Sequence, residues 1–226
     1  MKLSESRTEL ITNSIDFSLF LNYRRLKSIK RCNSLPTLQP TDVAQHSYYV
    51  ALLSMAFADE YNTWAEEYNL DFHPHDFDNR YELINVEVLL RKALLHDVEE
   101  NFTSDIPWHV KHMSAEFNNT FTKGINEFLD KKYEDSKTMK MYQSLSKASK
   151  KGIEGELVNL ADMVELAWYC WEEVKFGNQF FIDLLEKCLR IIDGYAISQI
   201  LNKSSNLFRK IISMLDNKDS ATYDID

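Results

Sequence analysis

The sequence has few of the residues that form tight turns, with only five glycines and four prolines among 226 residues. Repeated β-hairpins need such residues at their turns, so their scarcity argues against a hairpin-rich fold and favours helices. Hydrophobic residues make up 44% of the chain and charged residues 27%, which is typical of a globular protein with a substantial core. We therefore predict an all-α protein.

Basic residues are also in short supply. Lys and Arg number 26 against 35 Asp and Glu, which gives a formal net charge of −9. A general nucleic-acid binder needs clustered cations to neutralise the phosphate backbone, so this balance argues against stable nucleic-acid binding. A small phosphorylated substrate remains compatible with the charge, because a bound metal ion can invert the local field.

Long apolar runs and paired cysteines are missing as well. No segment is apolar for anything like ~18 residues, and polar residues 4–9 lie where a signal peptide would have its apolar centre. The three cysteines, Cys32, Cys170 and Cys188, are odd in number and lack CxxC spacing, which indicates reduced thiols. We expect a cytoplasmic protein with no membrane contact.

The most unusual stretch covers residues 89–107, where an apolar run ends in His96 and Asp97 and three more acids follow. Four carboxylates and an imidazole within ten residues repel one another unless they spread into solvent or gather around a cation. A helix predicted over residues 84–100 places His96 and Glu100 on one face, one turn apart. A metal site is one interpretation of this stretch, and a solvated acidic surface is the other.

Two further predicted helices carry a polar residue within an apolar stripe. His46 shares a stripe with Val50 and Leu53 in a helix beginning near residue 42, and Asp162 lies inside an apolar helix over residues 156–175. The alternatives to metal binding are a hydrogen-bonded core histidine and a buried ion pair. Facing helices can gather such ligands, and two imidazoles with two carboxylates suit Mn, Co, Fe, Zn or Mg.

Apolar spacing predicts further helices, and no firm domain boundary or internal repeat interrupts them. We predict a single domain over residues 1–226 with a core at about residues 8–202. We expect Ser114 to cap one of these helices, and residues 216–226 to form a flexible tail. The additional predicted helices cover residues 8–30, 114–132, 178–201 and 204–215.

Three segments leave alternatives open. The basic cluster at residues 24–31 is either a solvated helix end or, at Arg31, an anion clamp. Residues 59–81 are interpreted as a helix end and a loop, in which His73 and His75 are more readily solvated than metal-bound. Residues 133–153 are either a mobile connection or a short helix.

Taken together, these residues resemble the HD-domain metal-dependent phosphohydrolases, and more closely their YfbR-like 5'-deoxynucleotidase branch. The resemblance covers roughly residues 15–195, and the combination of motifs is more specific than a lone His-Asp pair. The matching segments are Arg31, residues 43–47 (Val-Ala-Gln-His-Ser), residues 96–100 (His-Asp-Val-Glu-Glu), Thr103 with Asp105-Ile106-Pro107, residues 160–162 (Leu-Ala-Asp), Glu172-Glu173 and Gly177-Asn178.

The resemblance implies an HD-domain helical bundle that hydrolyses deoxynucleoside 5'-monophosphates and forms a homodimer or higher homo-oligomer. It implies Glu100 as the catalytic acid, Asp105 as a residue that positions substrate or water, and Arg31 as the phosphate-binding group. One divalent ion, of Co, Mn, Zn, Fe or Mg, would be held by His46, His96, Asp97 and Asp162.

The chain departs from the family pattern at two residues and in the length of one segment. The family usually has Trp after the arginine and Glu before the first histidine, where this chain has Cys32 and Gln45. Residues 59–83 are longer than expected, which predicts an insertion that covers the site or serves a subunit contact.

Two other functions remain open from the sequence. One is a deoxynucleoside triphosphate (dATP-type) triphosphohydrolase of the same superfamily, and the other is a non-catalytic nucleotide-binding protein. The intact set of candidate site residues argues against the second. Lysines that could neutralise additional phosphates, although a solvated surface explains them as well, are Lys137, Lys140, Lys147, Lys150 and Lys151.

Overall fold

A computed structural model describes residues 23–71, 81–107, 110, 113–132 and 152–217. Within those residues there is no β-strand, only an isolated bridge between Lys30 and Asp42, and the all-α prediction is confirmed. None of the described helices is long and apolar enough to cross a membrane. The helices are α1 Val43–Asp71, α2 Val86–Leu95, α3 Glu100–Thr103, α4 Ala115–Lys132, α5 Gly152–Lys175, α6 Ile182–Gly194, α7 Ala196–Ser204 and α8 Asn206–Asp216, with 3-10 turns at Leu26–Ser28 and Gln179–Phe181.

Helix α5 is the central element of the fold. Its buried residues point in most directions around the helix. It packs mainly against α1, α2 and α6, and it also contacts α7 and α8. One hydrophobic cluster joins these helices, from Val50 on α1 to Leu215 on α8. Cys170 and Cys188 lie in this cluster, and all three cysteines are free thiols as predicted.

The first long helix ends within residues 59–81, the segment predicted as a helix end and a loop. Helix α1 continues to Asp71, which locates the helix end, and the loop part of the prediction falls almost entirely outside the described residues. The last turns of α1 pack aromatic rings together, because Trp64 lies 4.6 Å from Tyr81 and Tyr68 lies 5.0 Å from it, measured between ring centroids. Asn69 also donates a 2.9 Å hydrogen bond to the Tyr81 carbonyl. Residues 72–80, with His73 and His75, lie outside the described residues.

Two other predicted helices end early. The helix predicted over residues 84–100 stops at Leu95, and a turn at residues 96–99 separates it from α3. The helix predicted over residues 178–201 is divided at Tyr195, whose backbone is extended (φ −76°, ψ 132°). The preceding Gly194 has a low helix propensity, and the Ser198 hydroxyl donates to the Ile192 carbonyl at 2.6 Å, which stabilises the break.

The predicted helix start at Ser114 is confirmed, since its hydroxyl accepts the Phe117 N–H at 3.0 Å. Most of the predicted helix over residues 8–30 lies outside the described residues, and its described end is the 3-10 turn at Leu26–Ser28. The predicted connection at residues 133–153 is described only from residue 152, where α5 begins, and the tail only to residue 217.

A buried carboxylate on α5 holds the loop that precedes α1. Glu173 is fully buried and accepts hydrogen bonds from the backbone N–H groups of Leu38 and Gln39, the Tyr169 hydroxyl and the Asn178 amide. Burial alone would raise the pKa of Glu173, but these donors outweigh it and lower the pKa below its usual value. The ionised carboxylate therefore fixes the loop to the central helix.

We expect Glu173→Gln to lower the free energy of unfolding by about 2–3 kcal/mol, because an amide cannot accept all these charge-assisted bonds. Since the folded-state pKa of Glu173 is depressed, its contribution is present above the unfolded pKa of about 4.3 and is lost as the pH falls through the folded value. Urea unfolding at pH 7 and at acid pH measures the effect. Glu156→Gln, exposed on the same helix, is the control, and an equal loss in both variants would contradict the assignment.

Candidate active site

Four side chains predicted as metal ligands converge where α1, α5 and the 96–99 turn meet. The Nε2 atom of His46 lies 3.0 Å from Asp162 Oδ1, 3.3 Å from His96 Nε2 and 3.5 Å from Asp97 Oδ2. His96 Nε2 lies 3.3 Å from Asp97 Oδ2 and 4.0 Å from Asp162 Oδ1. Residues separated by more than 100 positions in the chain thus direct donor atoms to one point.

Local structure explains how each donor arrives there. His46 lies in the first turn of α1. The side chain of Asp42, just before the helix, accepts the Gln45 N–H at 2.9 Å and so caps its N-terminus. Asp162 projects from the middle of α5. His96 and Asp97 are sequence neighbours, and a continuous helix would separate their side chains by about 100°. Because α2 ends at Leu95, the turn that follows allows both side chains to face the same point.

Both imidazoles are oriented through their other ring nitrogen. His46 Nδ1 hydrogen-bonds to the Glu165 carboxylate, and His96 Nδ1 donates to the Ala93 carbonyl at 2.6 Å. Such bonds fix the tautomer and leave Nε2 free as a ligand atom, as in many metal-bound histidines. Glu165 was not among the residues predicted from the sequence. The pattern that could have identified it is an acid three residues after Asp162 in an apolar helix, because residues three apart lie on nearly the same face.

Opposite charges outweigh burial in setting the pKa values of this cluster. Burial alone would lower the pKa of His96, but Asp97 raises it to about 10. Burial alone would raise the pKa of Asp162, but the hydrogen bond from His46 lowers it to about 2. Asp97 is likewise held well below its usual pKa, chiefly by His96. Both carboxylates are therefore ionised at neutral pH, as metal ligands must be, whereas His96 is protonated without metal and must release its Nε2 proton to bind an ion.

The donor set fits a divalent metal ion. Ligand atoms held at about 2.0–2.2 Å from one ion lie about 3.0–3.5 Å from one another. The separations above run from 3.0 to 4.0 Å, and the donors of His46, His96 and Asp97 form a group compact enough for one ion. Two imidazole nitrogens with carboxylate oxygens match the predicted chemistry, which does not select among Mn, Co, Fe, Zn and Mg.

Arg31 points into the cluster rather than into solvent. Its backbone N–H donates to the Thr41 carbonyl at 3.0 Å, and its guanidinium lies 3.1 Å from Asp97 and 3.9 Å from Asp162. The side chain is 11% exposed, and the surrounding carboxylates raise its pKa despite the opposing effect of burial. The sequence left Arg31 either at a solvated helix end or turned inward as an anion clamp, and in the structure its side chain is turned inward.

Asp105 holds the backbone next to Arg31. Its carboxylate accepts the Cys32 N–H at 2.8 Å, and its carbonyl accepts the Asn33 amide at 3.4 Å. Cys32 has a φ of 51°, a left-handed conformation that is uncommon for a residue with a side chain. The hydrogen bond from its N–H therefore stabilises an unfavourable turn that sets the direction of Arg31.

A cavity of about 350 Å³ opens beside the cluster. Arg31, Asp97, Asp105 and Asp162 lie on its wall. Glu100, by contrast, is 1% exposed and acts electrostatically on Arg31 from within the protein. The volume lies within the range of about 300–1,000 Å³ usual for small-molecule sites.

We expect Glu165→Ala to weaken divalent metal binding about 10–100-fold, because it removes the acceptor that orients His46. Titration calorimetry with Mn²⁺ measures the affinity. Glu165→Gln, which keeps an oxygen acceptor but loses the charge, should fall between wild type and the alanine variant. An unchanged affinity in Glu165→Ala would contradict the role of this contact.

Comparison with known proteins places the fold and the family. Among solved structures, an HD-domain phosphohydrolase from Listeria innocua is 21% identical, with a TM-score of 0.65 over 87% of this chain and 89% of that chain. The HD phosphohydrolase DatZ of cyanophage S-2L, bound to dA and one catalytic Zn²⁺ ion, is 16% identical, with a TM-score of 0.57 over 86% of this chain and 96% of that chain. A search of curated proteins found no match.

A sequence model of the family described as 5'-deoxynucleotidase YfbR-like matches residues 18–212, which is most of the chain. The solved structures share its helical architecture and confirm the expected fold. This chain therefore has the fold of the solved HD-domain phosphohydrolases and belongs to the YfbR-like 5'-deoxynucleotidase family.

Proposed function

We propose that this protein hydrolyses deoxynucleoside 5'-monophosphates to the nucleoside and inorganic phosphate. The observation that supports it is the guanidinium of Arg31, held 3.1 Å from the candidate metal ligand Asp97 on the wall of one cavity. A cation and a metal site so close together suit a phosphate group, which presents several anionic oxygens. The family assignment and the dA bound to DatZ support a nucleotide substrate.

The metal ion in this proposal is held by His46, His96, Asp97 and Asp162. A divalent ion at this position supplies positive charge that polarises phosphoryl oxygens and acidifies water. Glu165 contributes indirectly, since it keeps His46 Nε2 directed at the carboxylates. The donor set suits Mn, Co, Fe, Zn and Mg.

The chain's own residues bind the phosphate and transfer the proton. Arg31 binds phosphoryl oxygens through its planar fork, and Asp105 fixes the turn at Cys32 that aims the guanidinium. As the water oxygen bonds to phosphorus, the bond from phosphorus to the 5'-oxygen breaks. The water gives up a proton and the 5'-oxygen takes one. Glu100, on the short helix α3 after His96 and Asp97, is the group we assign to this transfer, and because it is buried and does not line the cavity, the proton would pass through a bridging water molecule.

The runner-up function is a triphosphohydrolase acting on dATP. The lysines that could bind the additional phosphates, Lys137, Lys140, Lys147, Lys150 and Lys151, lie outside the described residues. A homodimer or higher homo-oligomer, a cytoplasmic location and an insertion at residues 59–83 remain predictions.

Phosphate release tests the proposed function directly. Protein loaded separately with Mn²⁺, Co²⁺, Zn²⁺, Fe²⁺ or Mg²⁺ should release phosphate from deoxynucleoside monophosphates and leave dATP intact. Asp97→Ala should lower the rate at least about 100-fold, because loss of a ligand exceeds the 10–100-fold effect of losing an outer partner. Asp59→Ala, exposed on α1, is the control. Attack on dATP would favour the runner-up, and no release from any monophosphate would contradict the proposal.

Glu100→Gln separates proton transfer from a purely electrostatic role. If Glu100 transfers a proton, kcat should fall about 10²–10⁴-fold while KM changes little. Steady-state kinetics with a deoxynucleoside monophosphate measures both constants, with Glu66→Gln on the surface of α1 as the control. A raised KM with unchanged kcat would show instead that Glu100 acts only by holding Arg31.

A further inference from the structure

Phe180 is an exposed aromatic side chain on the wall of the cavity that contains Arg31. It lies in the 3-10 turn Gln179–Phe181 between α5 and α6, and 70% of its surface is accessible. Among the described residues that line this cavity, it is the one aromatic. A large apolar ring exposed at a binding cavity has more to gain from a ligand than from water.

The backbone beneath Phe180 is firmly anchored. Its N–H donates to the Asn178 side chain at 3.3 Å, and that side chain also bonds to the buried Glu173. The next residue, Phe181, is fully buried and packs edge-on against Tyr169 at 5.6 Å between ring centroids. The turn is thus held in place while Phe180 faces the cavity, so little backbone ordering is needed for a ligand to use the ring.

An apolar surface connects the candidate phosphate site to this ring. Met163 and Leu166 follow Asp162 by one and four residues on α5, so the apolar surface begins within about one helical turn of a metal donor. Leu184 continues it on α6. A ligand with its phosphate at Arg31 would therefore extend over apolar side chains toward Phe180.

Polar groups at the α6 wall suit the edge of a nucleobase. Asp183 and Lys187 are four residues apart, so they project from the same side of α6, and both line the cavity. They present an acceptor and a donor, and nucleobases carry complementary donors and acceptors along their edges. A second phosphate would find a carboxylate beside the lysine, which makes this wall a poorer anion site.

We propose that Phe180 is the surface on which the nucleobase of the substrate stacks. This inference rests on the proposed function, because it assumes a nucleotide with its phosphate at Arg31. Stacking on a phenyl ring tolerates every base, since each base has a π-face. The ring therefore contributes recognition of a nucleobase as a class and separates nucleotides from sugar phosphates.

The kinetic test compares a substrate that has a base with one that lacks it. In Phe180→Ala, the ratio of kcat/KM for dAMP to kcat/KM for 2-deoxyribose 5-phosphate should fall about 10–100-fold, the range expected for loss of one stacked base. Phe180→Trp should keep or raise the ratio. Phe176→Ala, whose ring is 59% exposed and does not line this cavity, should leave the ratio unchanged.

A binding measurement separates this inference from the proposed reaction. Calorimetry should show deoxyadenosine binding to the wild type and about 10–100-fold weaker binding to Phe180→Ala. If that loss occurs but no monophosphate is hydrolysed, the proposed function fails and stacking on Phe180 stands. If the two proteins bind deoxyadenosine equally, if neither binds it, or if both substrates lose kcat/KM equally, the inference is overturned.

Discussion

The compensation of buried charge is the constraint on which this structure depends. Moving an isolated carboxylate into a protein interior costs several kcal/mol, so Asp97 and the half-buried Asp162 need positive partners. The imidazoles of His46 and His96 and the guanidinium of Arg31 supply them within 4 Å. The same arrangement that makes the charges tolerable collects two nitrogen and two oxygen donors, which is what a divalent cation requires.

Helix α5 connects that cluster to the rest of the fold. It carries Asp162, then Glu165 three residues later, and then Glu173 about three turns from the first acid. Asp162 contributes a candidate metal ligand, Glu165 orients His46, and Glu173 fixes the loop that leads into α1. Arg31 enters the cluster from that loop, so one helix sets the positions of the histidine, the aspartate and the arginine relative to one another. Rigid helices position such groups more closely than loops do.

The sequence predicted the parts of this arrangement that follow from local pattern. Polar residues within apolar stripes located His46 and Asp162, because helical periodicity fixes which residues share a face. Contacts between distant segments could not be predicted in this way. The Glu165 bond to His46 spans 119 positions, and the Glu173 bonds to residues 38 and 39 span about as many, so only the packed fold reveals them. The end point of α1 at Asp71 could not be read from the pattern either, because the last turns of the helix pack Trp64 and Tyr68 against Tyr81, which is a tertiary effect.

We propose that one divalent ion joins two imidazoles and two carboxylates at the meeting point of α1, α5 and the 96–99 turn. Anomalous X-ray diffraction from crystals grown with Mn²⁺ tests it most directly, because the signal locates the ion independently of the protein atoms. We expect one anomalous peak per chain at bonding distance from Nε2 of His46 and Nε2 of His96, with oxygens of Asp97 and Asp162 completing the protein ligands. A peak elsewhere, or no peak at a saturating Mn²⁺ concentration, would contradict it.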